Sequence, residues 1–148
     1  EGVFRAIGVS NFLPHHIENI AVSGNVAPAV DQIEFHPGYP QLETVSYCQE
    51  HSILPQAWSP LGRTRVLCDP LIETLSENYG KTPAQICLCY ALMHEVMPLP
   101  KASSADRMRE NLDAASFSME PEDIAVLDGM ETTGWSGLHP DRERVLTV

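Results

Sequence analysis

The sequence is poor in basic residues, in cysteine and in aromatic side chains, and no two of its glycines are separated by a single residue. Each shortage excludes something. Nine lysines and arginines against twenty acidic residues leave a formal net charge of −11. That is the wrong sign for a protein that grips nucleic acid or an anionic membrane over a broad face. The four cysteines, Cys48, Cys68, Cys87 and Cys89, make no metal or redox motif, and a chain of 148 residues needs no disulfide to fold. Cys87 and Cys89 fall in a helical pattern about 200° apart around the axis, which keeps them from sharing one metal. Without a Gly-x-Gly the usual phosphate turn of a doubly wound dinucleotide fold is missing, so any dinucleotide must be held by other means. No apolar run approaches the roughly 20 residues of a membrane-spanning helix, and the start does not read as a signal peptide. A soluble, cytoplasmic protein is expected.

What is present is an ordinary globular composition, 43% hydrophobic and 20% charged, at a length suited to one compact domain. Short apolar runs alternate with longer helical patterns. Strands are expected over 3–9, 28–34, 54–58 and 96–99, and helices over 14–22, 42–51, 70–79, 83–94, 105–114 and 121–130. Thr82 and Pro83 supply a capping hydroxyl and then a proline in the first turn, where a missing N–H costs nothing. Gly24 and Gly80 stand where helices should stop. Residues 84–93 are apolar nearly all round, as in a helix pressed between a sheet and its neighbours. The strands read as buried parallel strands, not half-solvated ones. Four strands followed by helices fit either a small doubly wound sheet or part of a (β/α)8 barrel, and pattern alone does not choose.

In parallel α/β proteins ligands sit beyond the carboxyl ends of the strands, and here those ends are polar in an organised way. The first runs into Ser10 and Asn11, the second into Gln32, Glu34 and His36, the third into Trp58 and Ser59, the fourth into Lys101. Ser10 and Asn11 either cap the helix beginning near Pro14 or meet a ligand. Alternation puts Val30, Gln32 and Glu34 on one strand face, with Asp31, Ile33 and Phe35 on the other. Polar groups at a barrel mouth must bond something, a ligand or an internal network. Trp58 is either core or a platform for a planar heterocycle, with the backbone of Ser59-Pro60-Leu61-Gly62 facing a pyrophosphate.

Five of the nine basic residues fall in two short segments, Arg63 and Arg65 in one, Lys101, Arg107 and Arg109 in the other. Lys101 precedes Ser103, Ser104 and a helix start, with Arg107 one turn inside. This is the best phosphate-site candidate, the alternative being a serine cap with solvated bases. His15, His16, His36, His51, His94 and His139 form no ligand pattern, so no metal is implied.

Four runs carry a family resemblance: Arg5-Ala6-Ile7-Gly8-Val9-Ser10-Asn11-Phe12, Asp31-Gln32-Ile33-Glu34-Phe35-His36-Pro37, Ala57-Trp58-Ser59-Pro60-Leu61-Gly62, and Pro98-Leu99-Pro100-Lys101 through Arg107-Met108-Arg109-Glu110-Asn111-Leu112. In order and spacing they resemble the aldo-keto reductases over almost the whole chain. The resemblance implies that residues 1–148 are the C-terminal half of a (β/α)8 TIM barrel, its fifth to eighth βα units, with the N-terminal half outside the chain. It implies the cofactor-binding half of an NADPH-dependent oxidoreductase that reduces aldehydes or ketones to alcohols by hydride transfer. Ser10, Asn11 and Gln32 would bond the nicotinamide carboxamide, and Trp58 would stack on the ring in place of the family's commoner tyrosine. Ser59, Leu61 and Arg63 would embrace the pyrophosphate. Lys101, Ser103 and Arg107 would meet the adenosine 2′-phosphate, with Glu110 and Asn111 near the adenine. Ala102 stands where many members have serine, which removes one hydroxyl from the phosphate shell. Lys101 and Arg107 still favour NADPH over NADH.

By the same resemblance the catalytic aspartate, tyrosine, lysine and histidine belong to the first four βα units, so no residue here is assigned to catalysis. Tyr39, Tyr47, Tyr79 and Tyr90 fall in a loop or on helices, so none replaces the missing acid. The chain alone is expected to bind dinucleotide weakly or not at all and to reduce no carbonyl. Its first and last strands would be unpaired edges, met either by the N-terminal half or by self-association. Its start at Glu1 reads as that of a piece of a longer protein. The substrate is expected to be a small-molecule carbonyl compound, with aldehydes, keto acids, keto sugars and steroids all open. Trp135 in the tail either lies over the pocket or packs on the barrel. The alternatives are a non-catalytic nucleotide-sensing or accessory subunit of the same fold, and an unrelated phosphate-binding α/β domain.

Overall fold

The structure is a computed structural model that describes residues 2–24 and 26–142. Its elements run β1 (Gly8–Ser10), α1 (Pro14–Ser23), β2 (Val30–Glu34), α2 (Leu42–Glu50), β3 (Leu54–Trp58), a 3-10 segment (Gly62–Cys68), α3 (Pro70–Tyr79), α4 (Pro83–Met93), β4 (Met97–Pro98), α5 (Ala105–Asp113), a short 3-10 turn (Ala114–Ser116) and α6 (Pro121–Asp128). Local chemistry sets the boundaries. Asp69 accepts from the Leu71 amide at 2.9 Å and opens α3 ahead of Pro70. Thr82 and Gln85 form a reciprocal capping box at the start of α4, with Pro83 in the first turn. Gly80 ends α3 in the left-handed region at φ 61°.

The four strands are parallel and ordered β1-β2-β3-β4. Register aligns Ser10 with Gln32, Gln32 with Gln56, and Gln56 with Met97, so these four share one row and one face. The other face carries Asp31, Ile33 and Ala57, all buried under the helices. Helix α4 lies beneath this face, and every residue from Gln85 to Ala91 is buried. Its Tyr90 ring stacks on Phe35 with centroids 5.4 Å apart. Burying so many large apolar groups, each contributing roughly 1.5–3 kcal/mol, makes this face the centre of stability.

Two expectations are corrected. The strands were expected to be buried on both faces, yet the Ser10 row faces open space: Leu54 and Met97 are 38% and 44% exposed. The physical reason is that no further strands oppose that face in this half of a barrel. The first strand was expected to begin at residue 3, but Val3 and Phe4 are 78% and 83% exposed and pairing with β2 starts only at Gly8. On the outer side of β1 no strand is present to extend it, so its apolar start gains nothing by becoming regular. At the opposite edge an apolar groove of about 400 Å³ runs between α4, β4 and α5, lined by Leu88, Leu92, Met97, Met108 and Leu112. Among the described residues no helix is long and apolar enough to cross a membrane.

Candidate functional site

The polar row at the strand ends is wired together. Asn11 adopts a left-handed backbone (φ 54°), and its amide donates to the Gln32 carbonyl at 3.0 Å. The Ser10 hydroxyl donates to the same carbonyl at 3.1 Å. The Trp58 indole N–H donates to Asn11 Oδ1 at 2.7 Å, which leaves the Asn11 amide nitrogen as the outward donor. Gln32 Nε2 donates to Gln56 Oε1 at 3.3 Å, which leaves Gln32 Oε1 as an acceptor. The strand ends thus keep one amide donor, on Asn11, and one amide acceptor, on Gln32, outside these bonds. Gln56 was not among the residues singled out from sequence. The alternation Leu54, Gln56, Trp58 was the signal that it shares the face of Gln32.

Behind this row lies an outlier. Asp31 is fully buried; its Oδ1 accepts from the Phe12 amide at 3.4 Å and its Oδ2 has no partner. Burial pushes its carboxyl up to about 6, against a smaller lowering by the Phe12 hydrogen bond. Burial, and then the Asp31 charge, push the Cys48 thiol up to about 12, so this cysteine is an inert packing group.

The cationic end is built on a strained loop. After Trp58, four of the next six residues have positive φ: Ser59 at 49°, Gly62 at 51°, Arg63 at 54° and Thr64 at 70°. Two adjoining cavities open on this loop. One, of about 350 Å³, is lined by Ser59, Leu61, Arg63, Thr64 and Lys101. The other, of about 360 Å³, is lined by Leu61, Thr64, Lys101, Arg107, Glu110 and Asn111. Among the described residues no acidic group lies within ion-pair distance of Arg63, Lys101 or Arg107. Three cations without an acidic partner among the described residues, lining two adjoining cavities in a chain of net charge −11, mark a place suited to an anion. Arg63 also lies over the Trp58 ring, 5.9 Å from its centroid, which links the cationic end to the polar row.

Not every residue of the basic clusters belongs here. Arg109 pairs with Asp106 on the surface at 2.9 Å, and Arg65 donates to the Trp135 carbonyl at 3.2 Å. Ser104, not Ser103, caps α5, accepting from the Arg107 amide. Ser103 is exposed just ahead of that cap and lines neither cavity. Glu110 is held by the Thr82 hydroxyl at 2.6 Å, so it is oriented by α4.

The tail returns across the strand ends. Both Glu34 oxygens accept from Ser136, from its amide at 2.9 Å and from its hydroxyl at 2.6 Å. His36 donates from Nδ1 to the Pro37 carbonyl at 2.8 Å, and its buried Nε2 lies 3.5 Å from Glu34 Oε1, beyond good hydrogen-bond geometry. A side chain on Gly38 would meet Thr133 at 2.5 Å, so the tail's approach requires glycine there. Trp135 stacks on Tyr39, in the loop after β2, with centroids 5.5 Å apart.

His15, His16 and Asp141 come together with ligand atoms within 4.8 Å, a cluster invisible in sequence because Asp141 lies so far along the chain. Their bonding is that of a latch. His16 Nδ1 accepts from the Leu13 amide at 3.0 Å, so Nε2 carries the proton and donates to Asp141 at 3.0 Å. A metal on Nε2 would need the opposite tautomer. All four tyrosines sit where expected, and burial raises each of them, so none is an activated proton donor.

Residues 1–132 match the model of the aldo/keto reductase family. The chain is 36% identical to glyoxal reductase of Bacillus subtilis (strain 168) over 141 residues, 95% of this chain and 51% of that protein. It superposes on a Gox0644 mutant solved in complex with NADPH with a TM-score of 0.86, at 34% identity over 93% of this chain and 51% of that one. Against the silkworm aldo-keto reductase AKR2E5 complexed with NADPH the TM-score is 0.83, at 31% identity over 94% of this chain and 46% of that one. The chain spans about half the length of the curated relatives it matches. With four parallel strands open on one face, a hydrogen-bonded row of polar side chains at their ends and a cationic loop after the third, the chain is a partial barrel that belongs to the aldo/keto reductase family.

Proposed function

We propose that this chain is the cofactor-holding half of an NADPH-dependent reductase of small carbonyl compounds. The observation that carries the proposal is that Arg63, Lys101 and Arg107, with no acidic partner among the described residues, line two adjoining cavities that share Leu61, Thr64 and Lys101, with Arg63 lying over the Trp58 ring. The donor set fits a phosphorylated dinucleotide along its length. Asn11 donates to and Gln32 accepts from the carboxamide, with Ser10 beside them, and Trp58 offers its ring face to the nicotinamide. Ser59, Leu61 and Arg63 face the pyrophosphate. Lys101 and Arg107 would hold the 2′-phosphate, Ser103 would have to reach it from the exposed turn just ahead of α5, and Glu110 and Asn111 would border the adenine. When bound, the cofactor supplies a hydride to a carbonyl carbon. These residues bind and orient it; none supplies the accompanying proton, because every tyrosine of the chain is made less acidic by burial.

The proton donor and the rest of the substrate pocket come from elsewhere. The open sheet face, the free edges of β1 and β4 and the apolar groove at α4 and α5 are surfaces for a complementary half-barrel, or for a second copy. The test has two arms. Tryptophan fluorescence is expected to respond saturably to millimolar NADP+ in the chain alone, and NADPH-dependent carbonyl reduction is expected only when the other four βα units are added. No response to NADP+ by the chain once the other four βα units are added would refute the cofactor assignment, and turnover by the pure chain would refute the division of roles.

A further inference from the structure

We infer that Thr64 is a phosphate ligand shared by the two anion cavities, donating its hydroxyl to a phosphate oxygen of the bound dinucleotide; this rests on the cofactor assignment above. Thr64 lines both cavities together with Leu61 and Lys101. It therefore stands at the junction between the Arg63 side and the Arg107 side, where one hydroxyl can reach an anion in either. Its backbone is at φ 70°, ψ −3°. For a β-branched residue that is a true outlier, since the branched Cβ crowds its own backbone there. A glycine would adopt the same shape without that cost.

Packing does not explain the choice of threonine. The side chain is exposed, and its amide is already satisfied by the Leu61 carbonyl at 2.7 Å. Its hydroxyl makes no hydrogen bond among the described residues. A residue in an unfavourable conformation, whose hydroxyl makes no hydrogen bond among the described residues and which lines the same cavities as Arg63, Lys101 and Arg107, has a donor to offer an acceptor that enters them. A phosphate oxygen is the acceptor those cations would bring. The preceding residue, Arg63, is also left-handed (φ 54°), so the two together turn the chain tightly enough to set the guanidinium and the hydroxyl on the cavity wall.

The test is NADP+ titration of the full chain by tryptophan fluorescence, alongside thermal melts without ligand, for Thr64→Ala, Thr64→Ser and Thr64→Gly. Loss of one hydrogen bond to a charged group is expected to weaken NADP+ by about tenfold in the alanine and glycine variants. Serine, which keeps the hydroxyl, is expected to stay within about twofold of the parent on the same argument. Glycine alone is expected to raise the melting temperature, since it relieves the backbone while losing the ligand. Repeating the series with NAD+ assigns the oxygen: equal losses place it on the pyrophosphate, and a loss confined to NADP+ places it on the 2′-phosphate. Unchanged affinity in Thr64→Ala, with the parent binding normally, overturns the inference and leaves the cofactor assignment standing. A parent that gives no saturable response even with the other four βα units added overturns both.

Discussion

Asp31→Asn is expected to stabilise this protein at neutral pH and to do nothing of the kind in acid. In the folded chain burial raises the Asp31 carboxyl from 3.8 to about 6. The folded state therefore holds its proton more tightly than the unfolded state does. The associated stability is complete below pH 3.8 and is lost as the pH rises to about 6, after which the loss is constant. A difference of about two pH units, at 1.36 kcal/mol each, is about 3 kcal/mol. Asparagine keeps an oxygen for the Phe12 amide, and its nitrogen replaces an Oδ2 that has no partner today. The unpaired donor it introduces costs on the order of 1 kcal/mol, leaving a net gain of about 2 kcal/mol at pH 7. For a chain of this length that is a rise in melting temperature of roughly 6 °C. Thermal melts of both proteins at a series of pH values check it. The two curves should cross between about pH 4 and 5, the variant being the less stable on the acid side, and should stay apart by a constant interval above about pH 6. Parallel curves, or a variant less stable at pH 7, would refute the buried-charge argument.

Replacing Lys101 and Arg107 together by alanine is expected to remove most of any preference for NADP+ over NAD+, a loss of roughly tenfold to a hundredfold read by parallel titrations, and to flatten the salt dependence of NADP+ binding. Glu34→Ala is expected to cost about 2–3 kcal/mol in a denaturant melt, because it strands both the Ser136 amide and hydroxyl beneath the tail. The same variant should expose residues 133–142 to limited proteolysis, and a tail that stays protected would show that the Gly38 contact suffices.

Helices were legible because their ends are chemical. Thr82 with Pro83, Pro70 and Gly80 each fix a boundary through a bond or a dihedral that depends on neighbours in sequence. The strands were legible in place but not in environment, since burial of a strand face depends on whatever lies opposite, which local pattern does not report. The same limit governs the site. The polar strand ends announced Ser10, Asn11, Gln32 and Trp58, and charge clustering announced Lys101 and Arg107. Arg65 and Arg109 belong to the same clusters, yet the tail and Asp106 claim them, and only the folded chain shows it. Asp31 was placed on the correct face and given no role, because its missing partner is a property of three dimensions. Likewise nothing near His15 and His16 in sequence points to Asp141.

Strand β4 carries a consequence for how this protein meets other chains. The Leu99 amide donates inward to the Ala57 carbonyl at 3.0 Å. Along a strand, successive residues turn their amides to opposite sides, so the amides of residues 98 and 100 belong to the free edge. Both are prolines, which have no N–H to give. The edge thus accepts hydrogen bonds through its carbonyls and donates none at those two positions. An incoming strand can only donate to it at those positions, so two copies of β4 cannot pair reciprocally there, while a strand that supplies the amides can still dock.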